Sequence, residues 1–194
     1  MFGVFWQAMN RLLTITSKYL RLVMEPRLLL IVLAGKEHES ITELIAALAL
    51  RDAFDLIAAG EWLPDQNRLR RTLRRHTVAV KETLDHPILA RPFTCFQLRD
   101  QLERASSQNH LILILDFLHL FYNPDIDLSL RQRILEQCCQ HLGRLSRSKR
   151  VIVLVQHLSV DEYQQFFSMI ASVADEILEA ENDTSSQPLQ DSLF

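Results

Sequence analysis

Glycine is scarce in this chain, with four residues among 194, a composition that goes with short connections between elements rather than long flexible loops. Cysteine is scarce too. Cys95 and the adjacent Cys138 and Cys139 form neither a metal-ligand spacing nor an even-numbered disulfide framework, which fits a reducing, intracellular compartment, cytoplasmic or, in a eukaryote, nuclear. The seven histidines include no pair four residues apart, so a helical zinc motif is excluded and no metal is expected. No G-x-S-x-G elbow occurs, and Cys95 has no sequence context for nucleophilic work. A long apolar run is also missing: in the first 24 residues Gln7, Asn10, Arg11, Lys18 and Arg21 interrupt the hydrophobic stretch short of the roughly 18 residues a membrane span needs. The charges in that stretch follow its apolar start, the reverse of a signal peptide. Net charge is only −3 and the pI about 6.2, which argues against a general polyanion binder while leaving room for local basic patches.

What is present is a hydrophobic chain, 48% apolar, long enough to bury one sizeable core, so one domain is expected. Phe5, Met9, Leu12, Leu13, Leu20 and Val23 follow helical spacing, so residues 1–24 are expected to form an amphipathic helix covered by its own domain, a partner groove or a membrane surface. Apolar, β-rich runs at 28–34, 54–59, 111–116, 151–155 and 176–180 then alternate with helical patterns at about 41–51, 65–76, 95–105, 129–146 and 161–173. Near-continuous hydrophobic strands in a βα rhythm predict an α/β domain over 25–181, a mostly parallel sheet with helices on both faces. Residues 182–194, rich in Ser, Asp and Gln, read as a disordered tail.

Ligands of open α/β sheets bind beyond the carboxyl ends of the strands, so the residues there carry most of the functional information. The first strand runs into "LAGKEHESIT", which has the length of a phosphate loop, G-x-x-x-x-G-K-[ST]. Gly35 matches its first glycine and Thr42 its hydroxyl, but Ser40 stands for the second glycine and Ile41 for the lysine. Asp116 ends "LILILD", where a carboxylate either holds Mg²⁺ through water or merely caps the strand; Gln156 ends "VIVLVQ", where it either faces a γ-phosphate or is an ordinary loop residue.

Taken in order, "LAGKEHESIT", "AAGEWLPDQNRL", "LARPFTCFQL" with its Ala90–Phe93 "ARPF", "LILILDFLHLFY" and "VIVLVQ" resemble the RecA/RadA recombinase family over most of residues 28–180. The resemblance implies a RecA-like core with a nucleotide site at Gly35, Ser40, Ile41, Thr42, Asp116 and Gln156. The departures imply that this site has lost its activity. Ile41 supplies no cation, a Cβ at Ser40 obstructs the backbone approach that glycine permits, and Ala59 occupies the place of the family's catalytic glutamate before Gly60. Glu37 and Glu39 add negative charge where phosphate should sit. No catalytic residue, no bound cofactor, no small-molecule substrate and no ATP turnover are therefore expected.

Two further features bear on partners. In "NRLRRTLRRH", Arg68, Arg71 and Arg75 fall on one helical face with Arg70 and Arg74 beside them, while Leu69 and Leu73 point inward. Five arginines in eight residues either grip nucleic-acid phosphates or form a solvated face paired to acidic neighbours. The weaker cluster Arg144, Arg147, Lys149 and Arg150 fits a solvated turn. The segment after Gln156, "HLSVDEYQQFF", is short and acidic, unlike a DNA-reading loop. In the N-terminal stretch, Phe5 and Ala8 of "FWQA" have the Phe-x-x-Ala form by which recombinases and their partners dock, again by resemblance. The expected role is that of an ATPase-inactive, recombinase-like accessory protein in DNA repair, assembling with itself or an active RecA-like partner. The alternative is a RecA-fold interaction module that never touches DNA.

Overall fold

The computed structural model describes residues 27–33, 38–60, 63, 65–105, 110–157 and 161–180. The helix expected over 1–24 with Phe5 and Ala8, the loop residue Gly35 and the tail 182–194 lie outside them. Six strands are formed: β1 (Arg27–Leu33), β2 (Phe54–Ala58), β3 (Pro87–Ala90), β4 (Leu111–Leu115), β5 (Arg150–Gln156) and β6 (Glu176–Ala180). They make one sheet in the order β3-β2-β4-β5-β1-β6, with every pairing parallel. Between them run α1 (His38–Ala49), α2 (Gln66–Leu73), α3 (Val80–Leu84), α4 (Cys95–Arg104), α5 (Leu128–Ser146) and α6 (Asp161–Ala171), with a short 3₁₀ turn at His119–Phe121.

The strand sequences explain the layering. Successive side chains of a strand point to opposite faces, so an uninterrupted apolar run such as RLLLIVL must be covered on both. In β1, Leu29, Ile31 and Leu33 pack with Ile41, Ile45, Leu69 and Leu73 of α1 and α2, whereas Leu28, Leu30 and Val32 belong to the cluster of α4, α5 and α6. The connections β1 to β2 and β2 to β3 run in one direction across the sheet with α1, α2 and α3 on one face. Those from β3 onward run back with α4, α5 and α6 on the other, as right-handed crossovers require. The outgoing connections of the neighbours β1 and β5 diverge, as do those of β2 and β4, so the crevices open to a ligand lie at their carboxyl ends.

Local chemistry fixes the helix starts. Asp65, Thr94 and Asp127 cap α2, α4 and α5 by accepting from Asn67 N, Gln97 N and Ser129 N, contacts worth about 1 kcal/mol each. Asp127 is held below the usual carboxylate range first by the Ser129 hydroxyl, then by the Ser129 and Leu130 amides. Arg131, buried in α5, donates from Nη1 to the Phe121 carbonyl at 2.9 Å and lies over the Phe166 ring, tying the turn after β4 to two helices.

Four features differ from the sequence expectation. β3 and α3 were not expected: the four residues of β3 have no buried face to leave a hydrophobic pattern, and α3 is a helix of a single turn or so. α2 starts at Gln66, after its Asp65 cap, rather than at 65, and ends at Leu73 rather than 76. The fourth difference matters most for function. α1 begins at His38, not near 41, because with Ser40 in place of glycine nothing holds the backbone out of the helix.

Candidate functional site

At the carboxyl end of β1 only residues 34–37 separate the strand from α1. Ser40, Ile41 and Thr42 are therefore helical residues. Thr42 lies a full turn inside α1 and is 1% exposed, and Ile41, 8% exposed, packs in the core beside Ile45 and Leu69. A phosphate loop needs that stretch of backbone free of the helix, so that its N–H groups can converge on an anion.

Asp116 follows β4, which is separated from β1 by β5, so two strand spacings of roughly 5 Å each lie between it and the β1 crevice. Its backbone is left-handed, with φ 53°, a conformation that Asp tolerates better than most residues. Its side chain turns toward β2: a Cβ placed on Gly60 would fall 2.8 Å from Asp116 Cβ and Cγ and closer still to Oδ2. His119 Nδ1 stands 3.5 Å from the same carboxylate. Gly60 is thus a glycine of necessity, because the Asp116 carboxylate fills the space a side chain would take. Ala59 beside it is buried and offers no proton-transfer group. Gln156 closes β5, partly buried, and the next amide, His157 N, donates to the Leu33 carbonyl at 2.9 Å, so the β5–β1 ladder continues beyond Gln156. Only four residues then lead into α6.

Among the described residues no group of three His, Cys, Asp or Glu side chains converges in a way that could hold a metal ion. The cysteines are inert for a physical reason. Burial pushes all three thiols up, Cys139 to about 12 and Cys138 further, so the thiolate needed for nucleophilic work does not form near neutral pH.

Polar chemistry collects instead on α2 and the turn of Arg74 and Arg75 that follows it. Leu69 and Leu73 face the core, while Arg70, Arg71, Arg74 and Arg75 are exposed and Arg68 is half-buried. The ion pairs found among the described residues leave out Arg70, Arg71, Arg74 and Arg75. Arg68, Arg71 and Arg75 converge with Thr72, Asp65 and Glu43 of α1 on an open cleft of about 270 Å³. The i, i+3, i+7 spacing places the three arginines together in the sequence alone; Glu43 joins them only through the packing of α1 on α2, which no local pattern reveals. A second surface escaped sequence reading altogether. On the edge strand β3, Ile88 and Leu89 are 56% and 52% exposed on opposite faces, and Phe93 just beyond is 69% exposed, with the Arg91 guanidinium 5.5 Å from its ring centre.

No protein-family model and no curated protein matches this sequence. The described helices include none long and apolar enough to cross a membrane.

Proposed function

We propose that this chain is a RecA-like protein without ATPase activity, an accessory factor of DNA repair or recombination that works by binding nucleic acid and by assembling with itself or an active RecA-like partner. The observation that carries the reading is the exchange of roles between two places. Residues in the nucleotide-site register have joined the core, while Arg70, Arg71, Arg74 and Arg75, on α2 and the turn after it, are exposed and take part in no ion pair among the described residues. Supporting it are the parallel sheet with Asp116 at the end of an inner strand and the sequence resemblance between residues 28 and 180.

Calorimetry with Mg-ATP is expected to detect no binding in the micromolar range and no turnover. Micromolar affinity that is lost in Thr42→Ala or Asp116→Ala would defeat the first half of the reading. DNA binding is expected to weaken steeply with salt and to fail when Arg68, Arg71 and Arg75 are replaced by Ala. The assembly half is tested by Phe5→Ala with Ala8→Glu, expected to weaken self- or partner association while leaving the melting temperature unchanged.

A second reading, an interaction module that never contacts DNA, is favoured by one observation, the apolar edge at Ile88, Leu89 and Phe93. It prevails if the triple arginine variant leaves partner binding intact and the native protein retains no DNA at low salt.

A further inference from the structure

The two edges of the sheet are built differently. β6 closes one side and carries Glu176, paired with Arg27 at 2.9 Å, and the exposed Glu179, carboxylates of the kind that keep an edge strand from pairing with another chain. β3 closes the other side and bears no charge from Pro87 to Ala90, while Ile88 and Leu89 stand half-exposed on its opposite faces. An edge of that composition is suited to accept a further strand.

The ladder to β2 fixes which backbone groups face outward. Phe54 N donates to the His86 carbonyl at 3.1 Å and Phe54 is level with Pro87, so the backbone groups of His86, Ile88 and Ala90 point to β2. Those of Pro87 and Leu89, and by the same alternation Arg91, point to the open edge. Pro87 has no N–H, which leaves the Leu89 and Arg91 amides as donors and the Pro87 and Leu89 carbonyls as acceptors. This set is its own complement. About a two-fold axis beside Leu89, an antiparallel copy puts Leu89 opposite Leu89 and Arg91 opposite Pro87. Each Leu89 amide then donates to the other Leu89 carbonyl and each Arg91 amide to a Pro87 carbonyl, and the donor that proline lacks is called for only at the two ends of the pairing.

The charges agree with that direction. Asp85 is exposed just before β3 and Arg91 just after it, so antiparallel pairing sets the carboxylate of each copy diagonal to the guanidinium of the other. Parallel pairing in register would set like charges side by side.

We infer that β3 pairs antiparallel with β3 of a second copy of this chain, joining the two sheets into one. This rests on the self-assembly half of the function proposed above and gives it a surface. A strand of four residues with the apolar side chains around it falls short of the roughly 800 Å² per partner of a standard interface, so the pair should form reversibly, with a Kd of about 10–100 µM.

Sedimentation velocity of the full chain from about 1 to about 300 µM is expected to show a monomer–dimer equilibrium. Leu89→Lys and Leu89→Asp each set a charge against its own copy and should each weaken the dimer about tenfold or more, yet mixed in equal amounts they should dimerise with each other. Because Leu89 is half-exposed, the melting temperatures of both should match that of the native chain. Under mild oxidation Leu89→Cys should crosslink to itself, since opposite Cα atoms in such a pair lie about 5.5 Å apart, whereas Ile88→Cys, two residues out of step with its own copy, should not. The native thiols are buried and do not compete. Crosslinking of Ile88→Cys in place of Leu89→Cys, or a mixture of the two charged variants that stays monomeric, would overturn the inference. A dimer lost in Phe5→Ala/Ala8→Glu but unmoved by Leu89→Lys would also overturn it and leave self-assembly standing. A native chain monomeric throughout would overturn both, and a lower melting temperature in its Leu89→Lys variant would place another segment of the same chain over β3.

Discussion

The carboxyl ends of the inner strands and the outer face of α2 handle polar chemistry in opposite ways. At the strand ends, polar residues are turned to structural use: Thr42 is buried in a helix and the Asp116 carboxylate lies against Gly60. On α2 and the turn that follows it, four arginines stand in solvent without a carboxylate partner among the described residues. Exposed ion pairs contribute at most about 1 kcal/mol and like charges on one helix face repel, so these cations add little to stability. The difference teaches that residues in a familiar motif register can serve packing alone, and that burial separates them from side chains displayed to solvent.

The comparison breaks if substitutions at the strand ends behave like surface changes, or if those on α2 behave like core changes. Leu113→Asp should have the largest effect. Leu113 is fully buried in β4 between β2 and β5, and an unpaired carboxylate there should cost more than about 4 kcal/mol, enough to remove cooperative melting. A soluble, sharply melting protein would show that the inner strand is not where it is drawn. Ile41→Lys comes next. It restores the residue type of a phosphate loop, but at a site packed on Ile45 and Leu69 it should cost about 3 kcal/mol and yield no ATP affinity in calorimetry. A gain of nucleotide binding would mean that α1 can surrender its first turn. Gly60→Ala should cost about 1–3 kcal/mol, a fall in melting temperature of several degrees, because the new methyl group meets the Asp116 carboxylate. Asp116→Ala in the same background should recover part of that loss. Smallest of all, Arg70→Ala/Arg74→Ala should change stability by less than about 0.5 kcal/mol per residue while, on the proposed nucleic-acid reading, flattening the salt dependence of binding. Chemical denaturation combined with a salt series reads both quantities from the same variant.

Much of the fold is legible in the sequence because the strands are buried on both faces. Runs such as LLLIVL and VIVLV have no exposed side and so no polar interruption, and they were expected within one or two residues of where they lie. β3 fails that test for the complementary reason, since an edge strand with Ile88 and Leu89 in solvent presents no burial pattern to read. The start of α1 was misplaced because the phosphate-loop spacing suggested a loop, whereas the residues between Gly35 and Thr42 include no second glycine to keep one open. The arginine face was legible from helical spacing alone. Its cleft was not, because Glu43 reaches it from another helix and only the packing of α1 against α2 makes the wall.

The sheet order has a consequence for how the chain must be made. β1 is the first described strand to leave the ribosome, yet its neighbours are β5 and β6, and Arg27 pairs with Arg150 roughly 120 residues later. At synthesis rates of about 5–20 residues per second, the run Leu28–Leu33 waits about 6 to 25 s for its first partner. Throughout that interval both faces and both hydrogen-bonding edges of a strongly apolar strand are available to other nascent chains. The native sheet can close only after most loop-closure entropy has already been lost, which makes folding slow for a domain of this size. Yield of soluble protein should therefore depend on expression temperature and on chaperones that hold extended apolar segments more than on the stability of the finished domain.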